Sequence, residues 1–256
     1  MPAIAQPKNR ELIDRINELQ GASQYFVDPS TISSMTREWR LLKREIDALF
    51  AVDACSAWEL AGMWFALAGD RDGMERAFSK SLALGVSVSN HLNLMVNRLN
   101  LGMFSAAQEV YREVGAPEAG VFTTMVQDGI TAGAIFTVAR FAERAQEMGI
   151  EWNDGDWGSE LTKAAAVLRK SGISEEQIAR HLDIAGDVLI RHGVRPRVVP
   201  AITSAPGFFE GVTYLLTVPV TPNEAFDMNI ELAMAEDAAG IAKDVAFDVV
   251  FEAAEA

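Results

Sequence analysis

The chain has 256 residues, 49% hydrophobic and 23% charged, the balance of an ordered globular protein, which excludes extended disorder. Its 36 Asp and Glu against 22 Lys and Arg give a net charge of −14, a field that repels phosphate backbones and anionic lipid and attracts basic partners. A single cysteine, Cys55, leaves neither an intrachain disulfide nor a cysteine-based zinc site available.

The N-terminal residues, with Pro2, Pro7, Lys8 and Arg10, lack the apolar run of a signal peptide. No stretch reaches the roughly 18 apolar residues that span a bilayer, so a cytoplasmic location is expected. Leu12, Ile13, Ile16 and Leu19 share one face of a short helix over 10–20, ended by Gly21. A second helix is expected to begin near Asp28-Pro29, where Asp suits the cap and Pro the first turn. Its stripe is Ile32, Met35, Trp39, Leu42, Ile46 and Leu49, with Arg37, Arg40, Lys43, Arg44 and Asp47 on the solvated side.

Three helical hairpins follow. Helices over 54–68 and 72–84 turn at Gly69-Asp70, helices over 90–101 and 105–114 turn at Gly102, and helices over 121–132 and 136–148 break at Gly133. Gly69 is matched by Gly102 and Phe78 by Tyr111, both 33 residues on. Trp58, Gly62, Phe65, Gly69, Asp70, Phe78 and Ser81 fall where a tetratricopeptide repeat places its packing residues. Residues 55–114 resemble two such repeats, and 115–149 resemble a degenerate third. The pattern differs at Met74 and Ser81, where small Ala is usual, and at Val86, where Pro is usual. The resemblance implies stacked hairpins whose groove holds a peptide or partner helix. Segment 118–150 is also similar to a pentatricopeptide repeat, ending Ala-Gln-Glu-Met-Gly-Ile, which implies the alternative of RNA binding. The net charge of −14 argues against nucleic acid and membrane as partners.

Trp152 to Gly158 is a polar, Gly-rich break. Its Asp154 and Asp156 suggest calcium, but an EF-type loop counted from Asp154 would need Glu where Ala165 stands. A helix over 161–170 follows. Ser174 and Gln177 then form a capping box that opens a helix to His192, ended by Gly193. The period changes there from 3.6 to 2. Strands are expected over 197–204, 211–220 and 244–252, with a helix from Thr221-Pro222 to about Asp237 between the last two. On the second strand Val212, Tyr214, Leu216, Val218 and Val220 share a side. On the third, Val245, Phe247, Val249 and Phe251 point inward. The expected fold is α+β: an all-α helical-hairpin domain over 1–171, and an acidic α-β-β-α-β domain over 172–256.

The chemistry-bearing candidates are few. The chain has three histidines, and no Walker loop, dinucleotide fingerprint, nucleophile elbow or paired-His metal motif. No catalytic residue, metal or cofactor is therefore assigned. An enzyme with its site at an inter-domain cleft stays open as an alternative, because Glu59, Glu75, Asp128 and Glu143 could meet others in space. Asn90, Asn93, Asn97 and Asn100 recur at helical spacing, a row of amides able to line a binding groove or to bond to the adjacent hairpin. Residues 193–256 hold 3 basic and 10 acidic side chains, net −7. Glu224, Asp227 and Glu231 share one helical side there, an acidic face matched to a basic surface. The expectation is a protein-interaction module, adaptor, chaperone or inhibitor in kind, with a homodimer possible through an outer strand.

Overall fold

Hydrophobic periodicity changes at residue 193, and the secondary structure changes with it. The computed structural model describes residues 5–28, 34–85, 88–113, 122–150, 157–205 and 209–254. Among these, ten helices come first: α1 (Ala5–Gly21), α2 (Ser34–Leu49), α3 (Ala54–Leu67), α4 (Arg71–Leu84), α5 (Val88–Asn100), α6 (Phe104–Glu113), α7 (Phe122–Thr131), α8 (Ile135–Glu147), α9 (Trp157–Lys170) and α10 (Glu175–His192). Strands β1 (Arg197–Ala205) and β2 (Phe209–Val218), helix α11 (Pro222–Ala238) and strand β3 (Phe247–Ala253) complete the order. The protein is thus α+β with a helical N-terminal region and an α-β-β-α-β tail. The expected start of the second helix at Asp28-Pro29, Val86 and the loop at Asp154 and Asp156 fall wholly or partly outside the described residues.

The chain packs as two compact units. One is Met1–Leu101 with Gly193–Arg195; the other is Gly102–His192 with Pro196–Ala256.

In the first unit, Asp53 caps α3 by accepting from the Ser56 N–H at 3.0 Å, and Asp70 caps α4 by accepting from the Gly73 N–H at 2.8 Å. The turn between them places Gly69 at φ +74°, a left-handed conformation that suits glycine. Gly62 sets the spacing of this hairpin, because a Cβ there would lie 2.5 Å from the Phe78 ring. Ser81, fully buried, explains its departure from Ala: its hydroxyl donates to the Cys55 carbonyl at 3.0 Å and ties α4 to α3. Trp39 and Trp64 stack at 4.1 Å, and each indole N–H donates to the other's backbone carbonyl. The stripe Trp39, Leu42, Ile46 and Leu49 is buried as its spacing predicts. Residues 193–195 return to this unit. Val194 bridges Tyr25, and the buried Arg195 guanidinium donates to the Gln20 carbonyl at 2.7 Å and to the Ser23 carbonyl. A cation on the orphan carbonyls of a helix end is favourable.

In the second unit, Gly102 and Gly186 bring backbones into contact, since a Cβ on Gly186 would lie 1.9 Å from the Gly102 carbonyl oxygen. Tyr111 sits over Gly129 of α7, its hydroxyl 2.6 Å from where a Cβ would be. The sheet has order β1-β2-β3, with β1 antiparallel and β3 parallel to β2. Val212, Tyr214, Leu216 and Val218 are buried on β2 as expected. Val220, expected to continue them, lies past the strand's end. A second correction concerns β3. Val245, expected inward, is 84% exposed, because Asp244 accepts from the Ala246 N–H in a tight turn and the strand begins only at Phe247. Both capping boxes form, at Ser174–Gln177 and at Thr221–Glu224. Asn229 of α11 bonds both the N–H and the C=O of Phe251, at 2.8 Å each, and so covers the outer edge of β3.

Candidate functional site

The amide row of α5 turns largely inward. Asn90 is 2% exposed and donates to the Gly85 carbonyl at 2.8 Å, closing the end of α4. Asn97 is 3% exposed and donates back to the Asn93 carbonyl at 2.7 Å. The side-chain nitrogen of Asn100 is buried without a partner. Asn93 crosses to α3, donating to Glu59 at 2.7 Å. Both residues are half-buried. Burial raises the Glu59 carboxyl above its ordinary range, against the pull of the Asn93 bond. Among the described residues no cation pairs with Glu59. The α3–α5 face therefore carries a half-desolvated carboxylate held by a neutral amide.

The acidic face of α11 divides by role. Glu224 completes the capping box, and bonds from the Thr221 N–H and then its hydroxyl hold its carboxyl low. Burial works to raise the Glu231 carboxyl, but bonds from His192 at 2.9 Å and from Arg191 outweigh it and keep the group low. Arg191 and His192 of α10 thus hold Glu231. Asp227 is exposed and, among the described residues, has no cation beside it.

An unexpected feature lies on the same helix. Phe226, Ile230 and Met234 are 64%, 49% and 68% exposed, while Ala225, Met228 and Leu232 are buried. The helix is therefore apolar on its inner face and along an outer stripe. A sequence sign was present in its unbroken mixture of apolar residues, which gives no single stripe.

Ionisable groups also enter the second unit's interior. His181 Nδ1 and Glu236 Oε1 are hydrogen bonded at 2.7 Å, with Lys243 3.5 Å from Glu236 and the Phe247 ring edge-on to the imidazole. Glu175 accepts from the Thr137 N–H at 2.6 Å and its hydroxyl at 3.0 Å. Nearby, burial pushes the Asp128 carboxyl up to about 6. The Tyr111 hydroxyl is buried without a partner, and burial raises it, with the charges of Asp128 and Glu175 adding to the effect. Helical spacing links neither His181 with Glu236 nor Glu175 with Thr137, since each pair joins two different helices. Among the described residues no three His, Cys, Asp or Glu side chains gather as a metal would need, and no helix is long and apolar enough to cross a membrane.

No protein-family model matches the chain, and neither curated proteins nor solved structures give a match.

Proposed function

We propose that the protein is an interaction module, a helical-hairpin scaffold of the tetratricopeptide kind, whose α3–α5 face takes a cationic group of a peptide or partner helix. The carrying observation is the Glu59–Asn93 pair. A carboxylate half withdrawn from water and partnered by an amide gains more from an incoming Lys, Arg or α-amino group than a solvated one does. The amide fixes the carboxylate's orientation, so the cation meets a prepared acceptor. The acidic net charge speeds the approach of such a partner.

The test is selection from a random peptide display library, followed by titration of the selected peptides. Sequences with a Lys or Arg anchor should be enriched. Glu59→Gln keeps the acceptor for Asn93 but removes the charge, and should weaken those peptides about tenfold or more. Asn93→Ala should weaken them less. Selected peptides without a cation, or equal affinity for the Glu59→Gln protein, would refute the assignment.

A further inference from the structure

The outer stripe of α11 is a feature separate from Glu59 and Asn93. Phe226, Ile230 and Met234 follow steps of four, so they form one narrow line on a helix whose buried contacts are made by the opposite side. Singly exposed apolar residues are ordinary, but three in a helical line make a contiguous patch. Asp227 lies along one flank beside Glu231, which Arg191 and His192 already hold, and Asp237 lies near the C-terminal end of the line.

We propose that this face docks a basic amphipathic helix of another protein. Apolar anchors at i, i+4 and i+8 are the spacing at which two helices lay side chains against each other. The rim selects the sign of the partner. Asp227 and Asp237 are exposed beside the stripe with no cation paired to either among the described residues, so Lys and Arg flanking an apolar stripe are favoured opposite it. A second copy is disfavoured, because self-pairing would set Asp227 and Asp237 among their own equivalents. An anionic lipid surface meets the same repulsion. The stripe supplies the dehydrated centre and the carboxylates supply the rim.

Two synthetic peptides of about 18 residues, long enough to hold a helix, test this. One places Leu on one face and Lys on the other; the second replaces every Lys by Glu. Fluorescence anisotropy should detect binding of the Lys peptide, weakening as salt rises, and none of the Glu peptide. A protein with Phe226→Ser, Ile230→Ser and Met234→Ser should melt as the parent does and bind the Lys peptide about thirtyfold more weakly or worse. Because the α3–α5 face takes cationic groups too, the parent and triple-variant surfaces are compared in a Glu59→Gln background, where the difference between them reads the α11 stripe alone. Undiminished binding by the triple variant would mean attraction by net charge alone and would overturn the proposal. So would equal binding of the Glu peptide, capture by phosphatidylserine vesicles, or a dimer in sedimentation that the triple variant converts to monomer.

Discussion

Phe78 and Tyr111 stand 33 residues apart and occupy equivalent places in the repeat pattern, yet they pack in opposite senses. Phe78 of α4 lies on Gly62 of α3, the preceding helix. Tyr111 of α6 lies on Gly129 of α7, the following one. The same device, a ring seated on a glycine, closes the α3–α4 hairpin and joins α6 to α7. The boundary between the compact units at 101 and 102 falls between them. Periodicity in sequence therefore reports which residues are large and small, and leaves open which neighbour they meet. The chemistry differs too. Phe78 is apolar and fully buried, whereas the Tyr111 hydroxyl has no partner and lies near two carboxylates.

Phe78→Ala should break the first arrangement outright. Loss of a fully buried ring costs about 3–5 kcal/mol, read as a fall in the denaturant midpoint. A loss below about 1 kcal/mol would show that the ring is not the wedge of the hairpin. The second region should respond in the other direction. The Asp128 carboxyl, raised by burial to about 6, holds its proton more tightly folded than unfolded. Stability from this group is therefore greatest below about pH 4 and is lost as pH rises to about 6, an upper figure of about 3 kcal/mol. Asp128→Asn should recover about 1–3 kcal/mol at pH 7, with the gain fading under acid, as chemical denaturation across pH would record. Tyr111→Phe removes the orphan hydroxyl and should stabilise by about 1 kcal/mol in the same assay. A clear loss instead would mean that the hydroxyl has a partner in solution. The smallest effect is expected on the surface, where Glu231→Gln should shift stability by about 0.5 kcal/mol or less, since exposed ion pairs contribute little.

Much of the helical framework could be read from residue spacing, because a 3.6 period, left-handed glycine and a Ser or Thr cap each act within a few residues. Gly69, Gly102 and Gly193 end elements where expected, and Thr221 caps α11. The candidate site was less accessible. Asn93 is distinguished from Asn90 and Asn97 only by Glu59, 34 residues away on another helix. The outer stripe of α11 was hidden because Met228 and Leu232 satisfy the same composition from the opposite side. Val245 was misplaced because a carboxylate two positions away, not its own preference for strand, decides where β3 begins.

Arg195 reaches the end of α1 across 175 residues of chain. A ribosome delivers α1 early and its closing guanidinium late. At roughly 5–20 residues per second, about 5 to 20 s separate the appearance of residue 101 from that of residue 195. During that interval the first unit waits with the carbonyls of Gln20 and Ser23 facing solvent, while all of α6 to α10 is being made. A messenger truncated after α5 would yield helices without their fastening, and a clone designed around residues 1–101 would inherit the same defect.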